Sequence, residues 1–317
     1  DFAVKGQVSG AGVDSARSYP ERAKAFERNV ELRMFLTFSR NRGGSPFGAL
    51  FGGGGGGGDT STVSAVAHHS IVLLPEVPMM GRLKDSRIGY FTQDFTAYGR
   101  PQNASEAIRY INRFRLEKKD PTAAVSEPVK PIVFYVAREV PDKWRSFIKK
   151  GIEDWRPAFE SAGFKNAIVA LDAPTKAQDP DWDAEDSRYS VIRWAASPVA
   201  NAMGPSIQDP RSGETLSAHI IMWNDIFTIL DDWSFAQLAA TDPKYRKLPL
   251  PDSTMGELVR YVVAHEVGHT LGLEHNFKSS AAYSVAQLRD PEFTKKNGVS
   301  PSIMDYSRFN YVAQPGD

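Results

Sequence analysis

The chain has 317 residues, 41% of them hydrophobic, with 38 basic and 38 acidic side chains and no cysteine. That balance argues against nucleic-acid binding as the main role, and the missing thiols exclude a disulfide scaffold, a cysteine nucleophile and a thiolate metal site. The length suits two domains, and no apolar run reaches the ~18 residues of a membrane-spanning helix, so no transmembrane segment is expected. The chain starts at Asp1 without initiator methionine or signal sequence and reads as a mature piece of something longer.

Strand-like runs at 31–38 and 64–74 flank an unbroken glycine tract at 52–58, a pattern that predicts a long hairpin around a flexible connection. His68 and His69 are adjacent, so in a strand they face opposite ways and suit a structural or surface role. Tyr90, Phe91, Phe95 and Tyr98 predict further strands, while 108–118 fits strand and helix equally. Residues 1–125 therefore read as a β-rich N-terminal domain, accessory or prosegment-like.

Pro128 and Pro131 mark a boundary, and 131–317 follows as a mixed domain. Residues 132–136 read as a buried strand. Pro141 and Asp142 then open a helix whose face carries Trp144, Ile148, Ile152, Trp155 and Phe159, with Pro157 expected to kink it and Gly163 to end it. Runs at 167–171, 189–194 and 215–223 predict three more strands. Between them, Asp179, Asp181, Asp183, Glu185 and Asp186 read as a solvated loop; they offer oxygen ligands for Ca2+ but lack the spacing of a calcium loop. Thr254 and Glu257 have the form of a capping box opening a second helix, one face of which runs through Leu258, Tyr261, Val262 and His265.

That helix carries His265, Glu266, His269, Gly272 and His275 in the pattern His-Glu-x-x-His-x-x-Gly-x-x-His. Residues four apart share a helix face, so His265 and His269 can grip one cation, with Glu266 beside it as general base. Gly272 allows the helix to stop in a left-handed residue, and the returning chain offers His275 as a third ligand. Three protein ligands leave a position for water, as in a catalytic zinc site. The five fixed positions coincide by chance on the order of 10⁻⁵ per chain of this composition, so a purely structural pair of histidines is a poor account.

Met304 and Tyr306 follow downstream in Ser302-Ile-Met-Asp-Tyr306. Together the two motifs resemble those of the metzincin metallopeptidases, over about residues 131–317. The resemblance implies an α+β fold: a twisted, mostly parallel sheet with an antiparallel edge strand and two long helices. It implies one catalytic Zn2+ on His265, His269 and His275, with Met304 as a hydrophobic floor in a Met-turn. Tyr306 matches the tyrosine that astacins and serralysins carry two residues after that methionine, near the metal or the oxyanion. By the same analogy 215–223 is the open edge strand at the upper rim of the cleft. Ser217, His219 and Ile221 are then substrate-side, and 204–207 is the loop leading to it. His219 is not a fourth ligand, which would close the site to water.

Asn276, after the third histidine, differs from the residue typical of astacins, serralysins and matrixins, so no subfamily is assigned. The chain ends soon after Met304, where metzincins usually add a helix, which suggests truncation at the C-terminus. The expected function is a zinc endopeptidase acting on protein or peptide, exported by family resemblance. The rivals are a non-catalytic binding module with a vestigial or structural zinc and a zinc hydrolase of non-peptide amides. Were 1–125 a latency segment, a carboxylate such as Asp85 or Asp94 would have to cap the metal, since there is no cysteine to do so.

Overall fold

Apolar residues recur at every second position from Val30 to Phe38, which suits a strand with two unlike faces. In the computed structural model, which describes residues 12–41, 60–98 and 105–315, this run lies in a long strand. The glycine tract at 52–58 lies outside the described residues. Strands β1 (Gly12–Val13), β2 (Tyr19–Ala25), β3 (Asn29–Asn41) and β4 (Thr60–Val72) make an antiparallel sheet. β3 pairs with β4 from Asn29↔Val72 to Asn41↔Thr60, and its other edge takes β2 and β1 in succession.

A buried carboxylate organises this sheet: Glu31 accepts hydrogen bonds from Asn29, Ser70 and His68, the last at 2.7 Å. Asn29 also donates to the Glu185 carbonyl at 2.8 Å and accepts from the Ser187 amide at 2.9 Å. Those bonds explain why one compact unit comprises Asp1–Leu74 with Glu185–Ser187, the second being Pro75–Ala184 with Arg188–Asp317.

The division expected between 125 and 131 thus differs from the one observed at Leu74/Pro75. The reason is backbone pairing: the Arg113 amide donates to Gly213, the Thr215 amide donates to Arg113, and Arg115 forms a 2.6 Å ion pair with Glu214. Strands β5 (Thr92–Ala97) and β6 (Glu106–Ile111) form an antiparallel pair within the second unit. The ambiguous segment from 108 therefore begins as strand.

The main sheet of the second unit contains β7 (Ile132–Val136), β8 (Ile168–Asp172), β9 (Ser190–Ala195), β10 (Ala202–Met203), β11 (Ser206–Asp209) and β12 (Glu214–Trp223). β8, β7, β9 and β12 run parallel in that order, and β10 and β11 lie antiparallel on the outer side of β12. An antiparallel edge is present, but residues 202–209 supply it. The expectation that 215–223 is the open edge is corrected, because Ser206↔Ala218, Ile207↔Ser217 and Met203↔Ile221 already occupy that side of β12.

Helices α1 (Asp142–Glu153) and α2 (Arg156–Ser161) replace the single kinked helix expected. Pro157 lacks an amide hydrogen and crowds the preceding turn, so the helix breaks instead of bending. Gly163, at φ +87°, ends the second piece as expected. α3 (Ile226–Leu238) has no clean apolar stripe in the sequence, because its apolar residues are spread around the helix. α4 (Asp252–Thr270) starts before Thr254, which is buried inside the helix. Pro251 presets the helical start, the Thr254 amide donates to its carbonyl, and the expected capping box does not form. Two short helices, α5 (Val285–Leu288) and α6 (Pro291–Asn297), follow. None of the described helices is long and apolar enough to cross a membrane.

Phe134, Ile192, Ile220 and Met222 of the sheet, Ile148 and Ile152 of α1, and Val259 and Val263 of α4 are fully enclosed in one core. At about 1.5–3 kcal/mol for each large side chain buried, this packing fixes α4 against the sheet. The positions of His265 and His269 follow from that.

Candidate metal centre

His265 and His269 project from the last two turns of α4. His265 is buried, and its Nδ1 donates to the Ile303 carbonyl at 2.7 Å; His269 Nδ1 donates to the Leu273 carbonyl at 2.8 Å. A carbonyl can only accept, so each Nδ1 holds the ring proton and each Nε2 presents a lone pair. Helix α4 ends at Thr270 with Leu271 as its C-cap, and Gly272 at φ +103° turns the chain back. A side chain at Gly272 would also collide with the Asn112 carbonyl. The reversal brings His275 Nε2 to 3.1 Å from His269 Nε2.

One nitrogen from each of His265, His269 and His275 lies within 4.8 Å of the others, and these three are the only such cluster among the described residues. His265 Nε2 is buried without a hydrogen-bond partner. A cation bound by all three rings would satisfy it and would replace the direct hydrogen bond between the His269 and His275 rings. Burial pushes the His265 imidazole down to about 4 and lowers His269, which keeps both neutral and able to ligate near pH 7. The donor set fits a zinc ion.

His275 is held differently. It is exposed, and its ring stacks on Phe277 at 5.1 Å and meets Tyr306 edge-on at 4.5 Å. Neither Phe277 contact nor its place two residues past the motif singled it out in the sequence.

Glu266 follows His265 but faces the antiparallel edge. It is buried, which pushes its carboxyl up to about 7, while a hydrogen bond from the Gly204 amide opposes that shift. Gly204 sits so close that an added Cβ would lie 2.9 Å from the Glu266 carbonyl. Within the segment 204–207, expected as a loop, Gly204 and Pro205 do lie outside the strands, while Ser206 and Ile207 begin β11. Ser217 is buried behind it, and the His219 amide donates to the Pro205 carbonyl at 2.8 Å. Ser217, His219 and Ile221 thus sit on a covered strand, and His219 is not in the histidine cluster.

Met304 is buried in a turn closed by the Asp305 amide on the Ser302 carbonyl. Its sulfur packs against Gly268, beside the ring of Trp155, whose indole N–H donates to the Ala264 carbonyl at 2.8 Å. Ile303 holds His265, and the Met304 carbonyl accepts from the Asn276 amide at 2.9 Å, so this turn touches both ends of the cluster. The buried Asp305 accepts from the Ser280 amide and hydroxyl, each at 2.6 Å, and anchors the turn from behind. Tyr306 is half exposed, with its ring 5.4 Å from that of His265; burial and the Glu266 charge raise its phenol.

The remaining candidates lie elsewhere. Asp85 is bound by Arg87 and Asp94 by Arg109, so neither is drawn to the histidines. The stretch Asp179–Asp186 does not gather into a cation site: the Asp179 carboxylate instead caps the amides of Asp181 and Trp182.

Three converging imidazoles beside a buried carboxylate, on an α+β scaffold, define a zinc-metallopeptidase-like centre. Residues 247–317, which contain the triad, Glu266, Met304 and Tyr306, match the family model described as Met-zincin, so the chain carries a Met-zincin domain at its C-terminus. Residues 3–119 match a family described only as a domain of unknown function. No curated protein and no solved structure matches the chain.

Proposed function

We propose that the chain is a zinc-dependent endopeptidase. The observation that carries this reading is the convergence of three imidazoles, two of them locked by carbonyls into the ligating tautomer, beside the buried Glu266. His265, His269 and His275 would hold the zinc ion, which would supply Lewis acidity towards a peptide carbonyl and towards water.

The chain's own residues supply the rest. Glu266 takes the proton of the attacking water and returns it to the leaving amine. Burial raises the proton affinity of this carboxyl and the cation's charge would oppose that rise in the loaded site, which leaves a group able to take a proton and give it back. The Gly204 amide keeps the carboxylate aimed, and the Tyr306 hydroxyl donates to the developing oxyanion. Met304 and Gly268 pack together beneath the histidines. The outer edge of β10 and β11, unpaired among the described residues, takes an extended peptide through main-chain hydrogen bonds. An exported location belongs to the same proposal, with cell fractionation as its check.

The test is cleavage of casein and a quenched peptide library by metal-loaded protein, with and without chelator. Metal-dependent hydrolysis lost in Glu266→Gln supports the assignment. Zinc retained without turnover of any peptide points instead to a binding module.

A further inference from the structure

The segment that follows Pro75 contributes more to the second unit than extra strands. Its backbone at 82–84 pairs with β6: the Lys84 amide donates to Arg109 at 2.9 Å and the Ile111 amide to Arg82 at 2.9 Å. The chain then turns at Asp85–Arg87 and runs antiparallel to 272–274, the stretch between helix α4 and His275. Tyr90 bridges Leu273, the Phe91 amide donates to the Gly272 carbonyl at 2.8 Å, and the Glu274 amide donates to the Gly89 carbonyl at 3.1 Å.

Side chains reinforce this pairing. Lys84 forms a 3.1 Å ion pair with Glu274, the residue before His275. The Phe91 ring lies 5.7 Å from that of His269. Behind it, the Asn112 amide donates to the Phe91 carbonyl at 2.8 Å, and the Asn112 carbonyl fills the space where a Cβ of residue 272 would project. The return loop is therefore held by helix α4 at one end and by this strap along its length.

We propose that residues 84–91 are a positioning element of the metal centre, with Phe91 and Lys84 fixing the His269 ring and the His275 loop from far upstream in sequence. The inference rests on the reading that the triad holds zinc. It makes the strap an integral part of the site and not a removable prosegment. Groups that orient metal ligands change affinity by roughly 10–100-fold when removed. Phe91→Ala is expected near the lower end of that range and Lys84→Met, which removes one partly exposed ion pair, at about 3-fold.

The test uses the full chain, titrated with Zn2+ against a chromophoric chelator and with Co2+ followed by its visible ligand-field bands. Expected are weaker Zn2+ binding and altered Co2+ bands in Phe91→Ala, near-normal behaviour in Phe91→Tyr, and a small loss shared non-additively by Lys84→Met and Glu274→Gln. Wild-type affinity and spectra in Phe91→Ala and Lys84→Met would overturn the strap while leaving the zinc site standing. A wild-type chain that binds neither ion overturns the zinc reading itself, and the strap with it. Should Phe91→Ala fail to fold, the Lys84 and Glu274 variants, on a partly exposed pair, decide the matter.

Discussion

The candidate metal centre joins two regions built on different principles. Helix α4 supplies His265 and His269 from a core-packed element, and each ring proton is committed to a backbone carbonyl. The loop after Gly272 supplies His275, which is exposed and oriented by aromatic packing against Phe277 and Tyr306. The helical half derives its precision from burial and regular geometry. The loop half has to borrow it from a left-handed glycine, from aromatic neighbours and from a strand distant in the sequence. Changes in the loop half should therefore loosen the metal gradually, whereas changes on the helix should act on chemistry or abolish binding.

Glu266→Gln separates chemistry from binding most sharply. It is expected to lower peptide hydrolysis by about 10²–10⁴-fold, with zinc content by elemental analysis unchanged. Next in size is Gly272→Ala, which acts on the loop alone. A left-handed alanine costs about 1–2 kcal/mol, and the Asn112 carbonyl blocks its Cβ. Zinc affinity should fall about 10-fold or more, by conversion of that strain. Unchanged affinity would mean the reversal does not set His275. Phe277→Ala should be milder, a several-fold loss of zinc affinity within the ~0.5–1.5 kcal/mol of an aromatic pair, and Phe277→Trp should restore it.

The smallest effect concerns pH. In metal-free protein Glu266 should titrate near 7, well above an ordinary glutamate. Being raised on folding, it favours the native state at low pH and loses that contribution as pH rises from the unfolded glutamate value through about 7. Zinc loading brings a positive charge close and should move the carboxyl downwards, so the acid limb of turnover falls below 7. Carboxyl NMR with and without Zn2+ reads both; a Glu266 signal that ignores the metal would separate it from the site.

What the sequence revealed follows from the range of the interactions involved. His265, His269 and Gly272 are legible because a helix face and a helix stop are local matters, and the helical pattern from Trp144 to Ile152 is legible for the same reason. The edge strand is misassigned from sequence because Gly204-Pro205 interrupts it: those two residues lie between β10 and β11, and only the pairing of 202–203 and 206–209 with β12 reveals the covered edge. The Thr254–Glu257 box was a local pattern overridden by Pro251 three residues earlier, whereas a box does form at Ser284 and Gln287. Glu31, Asp305 and the strap at 84–91 draw their meaning from contacts that no periodicity encodes.

Trp155 carries one more consequence. Its indole is hydrogen-bonded to the helix that holds two of the histidines and lies against Gly268 between them. An open-shell ion such as Co2+ or Cu2+ in the cluster should quench this fluorophore, and a Trp155→Phe variant should lose that part of the signal. The fold has thus placed an intrinsic optical gauge of metal occupancy beside the histidine cluster.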